Sequence, residues 1–154
     1  MNEMRMVGFG PHLLYQAYGC PTSRLEYLDG LYGLLDEMPS RIRMTKIMPP
    51  YVLRHTDSSG RFTGCSGFVL IAQSHISVHT FPQRRFVNAD IFSCEAFDVG
   101  DALSILRSAF RPQRVDWHLL DRGKEFPRDI AGSRALVEQE RRRVATALGL
   151  EAMR

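Results

Sequence analysis

A chain of 154 residues with 44% hydrophobic and 24% charged residues fits one ordinary soluble globular domain with a core of its own. No apolar run approaches the roughly twenty residues of a membrane span and the N-terminus carries no signal-peptide core, so a cytoplasmic location is expected. A net charge of +3, with the basic excess around Arg141, Arg142 and Arg143, argues against nucleic acid as a partner, and three scattered cysteines argue against a disulfide framework or a zinc site.

In chain order, residues 7–9 and 13–18 are strand-like around Gly10-Pro11 and stop at the breaker Gly19-Cys20-Pro21. Thr22 or Ser23 can cap a helix, and Glu26 completes a capping box from Ser23. Leu25, Leu28, Leu31, Leu35 and Met38 recur at helical spacing and predict an amphipathic helix over 24–38, ended by Pro39. Residues 44–53 read as a strand that Pro49-Pro50 confines to a sheet edge or bends, and 54–63 form a polar loop centred on Gly60. Three β-like runs follow at 67–72, 76–80 and 86–92, broken by Gln73-Ser74-His75 and by Pro82, the pattern of an antiparallel meander.

Asp98 caps a second helix through Phe110, with Ala102, Ile105, Leu106 and Ala109 inward. Residues 115–120 make a last strand, where Trp117 and Leu119 alternate with Asp116 and His118; 121–129 are loop-like, and Ser133 opens a helix rich in Arg and Glu. Residues 1–154 are therefore read as a single domain of the α+β class, a two-layer sandwich with a mostly antiparallel sheet and helices packed on one face.

The meander carries Ser66, Ser74, His75, His79 and Cys94, a density of hydroxyl, imidazole and thiol that packing alone does not require. The segments Ser66-Gly67, Gln73-Ser74-His75-Ile76-Ser77-Val78-His79-Thr80-Phe81-Pro82-Gln83 and Asp90-Ile91-Phe92-Ser93-Cys94 resemble the S-adenosylmethionine decarboxylase proenzyme family in its short bacterial form. The likeness runs from His12 to about Gly123. It implies that Ser74 attacks the carbonyl of Gln73, cuts the chain between the two residues and becomes a pyruvoyl group. That ketone forms a Schiff base with a substrate amine and acts as the electron sink for decarboxylation, with no metal and no added cofactor. It also implies that Ser66 and His79 serve the processing step, that Cys94 is the proton donor, and that protomers form homodimers that share their sites.

Each of these residues has a plainer reading beside it. Ser74 alone could mark a β-bulge, His79 a hydrogen-bonded core imidazole and Cys94 a small buried hydrophobe, the role assigned to Cys20 and Cys65. Ser74 and His79 have opposite parity along a strand, so they meet only if the chain bends or twists near His75. His75 and His79 are four residues apart on a strand, roughly 13 Å, too far to share one metal ion.

Two positions depart from the family's pattern, which has Glu where this chain has Gln73 and Gln83. The second is the family's ribose contact. An amide there accepts one hydrogen bond from a hydroxyl and loses the charge-assisted grip on a diol. The expected function is decarboxylation of S-adenosylmethionine, a small amino-acid-type substrate, for spermidine synthesis. The alternatives are a pyruvoyl-dependent decarboxylase of ornithine or arginine, or a non-cleaving regulatory or binding relative.

Overall fold

The computed structural model describes residues 10–123 together with Ala135, Glu138, Gln139 and Arg142. The strand expected over 7–9 and most of the helix expected from Ser133 lie outside the described residues. The chain divides into two compact units, Gly10–Leu120 and a second made of Met1–Phe9 and Asp121–Arg154. In the second unit the four described residues beyond 123 are helical, and Arg142 Nη2 donates to Glu138 Oε1 at 2.9 Å, one helical turn away.

In order, the elements are β1 (Gly10–Tyr18), α1 (Thr22–Leu25), α2 (Leu28–Arg41), β2 (Tyr51–Thr56), β3 (Phe62–Ile71), β4 (Ser74–Phe81), β5 (Phe86–Ser93), α3 (Val99–Phe110) and β6 (Arg114–Arg122). The strands form one six-stranded sheet in the order β2-β3-β4-β5-β1-β6, with antiparallel pairing of β2 with β3, β3 with β4, β4 with β5 and β5 with β1. The α+β architecture expected from the sequence is the one observed.

Strict alternation puts Leu13, Tyr15 and Ala17 of β1, Val69 and Ile71 of β3, Ile76 and Val78 of β4, and Val87, Ala89 and Ile91 of β5 on one sheet face. They form a single core with Leu31, Leu35 and Met38 of α2 and Ala102, Ile105, Leu106 and Phe110 of α3. Each such Leu, Ile or Phe contributes about 1.5–3 kcal/mol by leaving water. Gly67 sets how closely α2 approaches, because a Cβ there would lie 2.8 Å from Leu35 Cδ1 and 2.6 Å from Val52 Cγ1. The opposite face carries His12, Leu14, Gln16, Ser66, Phe68, Leu70, His75, Ser77, His79, Asn88, Asp90 and Phe92, all half-buried or exposed.

The helical region differs from its sequence pattern. Two helices replace the one expected over 24–38, because Glu26 closes the four-residue α1 as its C-cap instead of reaching back to Ser23. The N-cap of α1 is Pro21, with no side-chain cap hydrogen bond. Then α2 runs on through Pro39 to Arg41; Pro39 is buried in the last turn, where only the one bond its missing N–H would make is forfeited. The Ile42 amide and its neighbours tie the end back to Met38, Pro39 and Ser40. Pro49 and Pro50 stand just before β2, which is an edge strand. The N-cap of α3 is as expected, with Asp98 Oδ1 accepting from the Asp101 amide at 2.8 Å.

Candidate active site

A two-residue turn, Ala72-Gln73, joins β3 to β4, and Ile71 faces Ser74 across it. Ser74 leaves this turn with φ +150°, a region that residues with a side chain rarely enter and that costs on the order of 1–3 kcal/mol. Gln73 is held on three sides. Its backbone carbonyl accepts from the Cys94 amide at 2.8 Å, its Oε1 accepts from the Thr45 amide at 3.2 Å, and its Nε2 donates to Glu95 Oε2 at 3.5 Å. The turn is further strapped by Ala72 N–H to the Thr45 carbonyl at 2.8 Å.

Cys94 reaches this position because β5 ends against the start of β1. A Cβ on Gly10 would lie 1.9 Å from the Ser93 carbonyl oxygen and 2.7 Å from Cys94 Cα, so only glycine allows the approach. Ser93 is fully buried, and its Oγ accepts from the Glu95 amide at 3.0 Å and donates to the Glu95 carbonyl at 2.7 Å. Residues 93–95 are thus a rigid corner against the turn. The Cys94 side chain is half-buried.

A second cluster stands further along the same hairpin. Ser66 and His79 are cross-strand partners on the face away from the helices, with Ser66 Oγ 2.9 Å from His79 Nδ1. They line a cavity of about 380 Å³ with His55, Thr63, Gly64, Thr80 and Phe81. Thr63 and Phe81 also line a neighbouring cavity of about 490 Å³, completed by Asp57, Arg61, Gln83 and Arg84. There Gln83 Nε2 donates to the Phe62 carbonyl, which leaves its Oε1 as the acceptor. Asp57 Oδ1 takes the Ser59 and Arg61 amides at 2.9 and 3.1 Å, and Oδ2 takes Arg61 Nε at 3.2 Å. The Ser59 hydroxyl first, and then these amide and guanidinium donors, hold the Asp57 carboxyl below the usual range.

The two clusters do not meet within one chain. Pairing of β4 with β5 runs unbroken from Ser74 opposite Ser93 to Phe81 opposite Phe86, so no bend occurs near His75. Five residues of strand separate Ser74 from His79 by roughly 16 Å. His75 lies on the same face as His79, with its ring 5.9 Å from that of Phe92, which in turn is 5.7 Å from His12. Cys20 and Cys65 are buried, and burial pushes both thiols up. Three participants escaped the sequence: the Cys94 amide, which no side-chain pattern can report, the Glu95 carboxylate, whose place beside Cys94 was the available signal, and the Asp57–Arg61 turn.

The sequence profile of the family described as S-adenosylmethionine decarboxylase matches residues 11–123. An S-adenosylmethionine decarboxylase proenzyme of Archaeoglobus fulgidus is 30% identical over 115 residues, covering 74% of this chain and 97% of that protein. One from Thermoplasma volcanium is 30% identical over 135 residues, 87% of this chain and 95% of the relative. The crystal structure of the adenosylmethionine decarboxylase from Aquifex aeolicus is similar with a TM-score of 0.64 and 26% identity, over 75% of this chain and 92% of that one.

Proposed function

The chain belongs to the S-adenosylmethionine decarboxylase family, and from that membership we propose that it cuts itself between Gln73 and Ser74 and then removes carbon dioxide from S-adenosylmethionine. It is a self-processing, pyruvoyl-dependent carboxy-lyase of polyamine synthesis. The observation that carries the processing reading is the peptide leaving the β3–β4 turn, with φ +150° on Ser74 and the Gln73 carbonyl held by the Cys94 amide at 2.8 Å.

Processing draws on Ser74 first. Its Oγ attacks the Gln73 carbonyl carbon, the C–N bond breaks as the nitrogen takes a proton, and an ester joins Gln73 to the Ser74 side chain. Negative charge develops on the oxygen that the Cys94 N–H already holds, the position of an oxyanion donor. Backbone strain of about 1–3 kcal/mol at Ser74 raises the uncut chain relative to the ester. Loss of the Ser74 α-proton with rupture of its Cβ–O bond frees Gln73 as a carboxylate. Water then converts the remaining dehydroalanine to a terminal ketone and releases ammonia. The pyruvoyl group formed from Ser74 would supply an electron sink for the decarboxylation of a bound amine substrate. Cys94 Sγ delivers a proton to the α-carbon that has lost carbon dioxide, a task a half-buried thiol can perform.

Ser66 and His79 supply the base for the acyl shift. Their separation of roughly 16 Å from Ser74 along β4 supports a site completed by a second copy, so that the pair serves the Ser74 of its partner in a homodimer. Gln83 Oε1 accepts one ribose hydroxyl.

The test is the intact mass of the purified protein with decarboxylation assays on S-adenosylmethionine, ornithine and arginine. The expected result is two chains divided between Gln73 and Ser74, a Ser74→Ala protein that stays whole, and turnover of S-adenosylmethionine. A wild-type chain that remains single after long incubation overturns the processing reading. Turnover of ornithine or arginine alone overturns the substrate while leaving the processing chemistry intact.

A further inference from the structure

Gln73 occupies a position where the family's pattern has a carboxylate, yet a carboxylate is present at this place in space. Glu95 Oε2 sits 3.5 Å from Gln73 Nε2. The backbone of Glu95 is pinned at both its N–H and its C=O by the fully buried Ser93 hydroxyl, and it directly follows Cys94. Its side chain is exposed. Among the described residues, that carboxylate takes its one hydrogen bond from Gln73 and has no ion pair. Lys46, which bridges to the same end of β3, is committed to Asp36. A Glu at 73 would set two carboxylates within about 4 Å of each other, a repulsion that the amide removes and replaces with a donor. Gln73 and Glu95 are therefore a matched pair in which the negative charge has moved from one side chain to its neighbour.

We infer that Glu95 is a specificity-determining residue that recognises the positive charge on the substrate's side chain, the sulfonium of S-adenosylmethionine. The inference rests on the proposed function. In the proposed chemistry the carbon that loses carbon dioxide sits between the Ser74-derived ketone and Cys94, the sulfonium is three bonds further on, and Glu95 directly follows Cys94. The Glu95 backbone is fixed on a buried serine by bonds that the cut does not touch, so Glu95 faces that charge with little reorganisation. Solvent exposure keeps the attraction moderate, and closure of the site around a ligand strengthens it.

The experiment compares the decarboxylated sulfonium product with its thioether counterpart, which lacks the charge and the S-methyl group that carries it. Equilibrium binding of each to the cleaved enzyme is measured by calorimetry. Any attachment through the shared amine cancels in the ratio of the two Kd values. Wild type should prefer the sulfonium. Glu95→Gln should reduce that preference by about fivefold or more, the size expected for losing one partly screened charge partner. In the doubly changed Gln73→Glu, Glu95→Gln protein, which returns the carboxylate to the other side chain, most of the preference should return. Should Glu95→Gln fail to cleave, the ratio is read on Glu95→Asp, where a smaller drop is expected. An unchanged ratio in the variant that cleaves overturns the inference and leaves Glu95 a solvated acid. A wild type that neither binds the sulfonium product nor decarboxylates S-adenosylmethionine overturns the proposed function, and the role of Glu95 with it.

Discussion

At residue scale, Cys94 offers two different groups to the proposed chemistry, its backbone amide and its thiol. Its backbone N–H holds the Gln73 carbonyl, whereas its thiol is half-buried beside the turn. Removing the sulfur leaves the backbone donor in place, so Cys94→Ala should still cut itself but lose most turnover, on the order of 100-fold for a missing proton donor. Mass spectrometry for the cut and carbon dioxide release for turnover check this, and ordinary turnover would return Cys94 to a packing role. Gln83 presents a trade between binding and stability. If Gln83 contacts the ribose, Glu in its place would gain a charge-assisted grip and should lower the KM for S-adenosylmethionine about tenfold, close to 1.4 kcal/mol. The same change removes the donor to the Phe62 carbonyl, which should cost about 1 kcal/mol and lower Tm by about 3 °C. A KM that does not move would take Gln83 out of the substrate contact.

The β2–β3 hairpin is the element whose behaviour should follow pH. Its loop is built on Asp57, which accepts from the Ser59 and Arg61 amides and from the Arg61 guanidinium, and it walls the cavity that contains Gln83. The Asp57 carboxyl is held below its ordinary value, chiefly by the Ser59 hydroxyl. A depressed carboxyl stabilises the folded loop above its unfolded pKa, and that contribution is lost as pH falls through the folded value. Protection of the Ser59 and Arg61 amides from hydrogen exchange should therefore fall on acidification below the usual carboxylate range. Asp57→Asn should show lower protection that no longer changes there. The neighbouring elements also show what sequence pattern can and cannot carry. Runs of β-branched and aromatic residues marked β3, β4 and β5 because alternation is a one-dimensional signal. Ser23 and Glu26 matched a capping box, but the chain enters α1 one residue earlier at Pro21 and spends Glu26 as a C-cap. The offset from Ser66 to His79 says nothing about distance until the turn at Ala72-Gln73 sets the register that makes them partners. The φ of Ser74 and the reach of the Cys94 amide are products of tertiary closure at Gly10, and no residue identity encodes them.

For the whole molecule, a straight β4 keeps Ser66 and His79 of one chain away from Ser74 of the same chain. If Ser66 and His79 of one protomer act on Ser74 of the other, two inert variants should rescue each other. Ser74→Ala cannot be cut, and His79→Ala lacks its base. Co-expressed in equal amounts and paired at random in twofold dimers, they should give cleavage of about half of the His79→Ala chains and of none of the Ser74→Ala chains. Mixed protein in which both chains stay whole would return His79 to a structural role or to its own protomer.

The place of the cut within the strand order has a lasting effect. The proposed cut between Gln73 and Ser74 would leave β1, β2 and β3 on one piece and β4, β5 and β6 on the other, while the sheet runs β2-β3-β4-β5-β1-β6. Ownership alternates, β1 of the first piece is wedged between β5 and β6 of the second, and three of the five strand seams join different pieces. Pieces interleaved in this way could not slide apart without tearing the sheet, so the cut protein should survive dilution. Denaturation is another matter, because a chain that first folded by itself must afterwards find a separate molecule in solution. The uncut Ser74→Ala protein should regain its fold from dilute denaturant, whereas the mature enzyme should recover with a yield that falls as it is diluted. Maturation is in this sense a ratchet: the fold is needed to make the cut, and the cut erases the simplest route back to the fold.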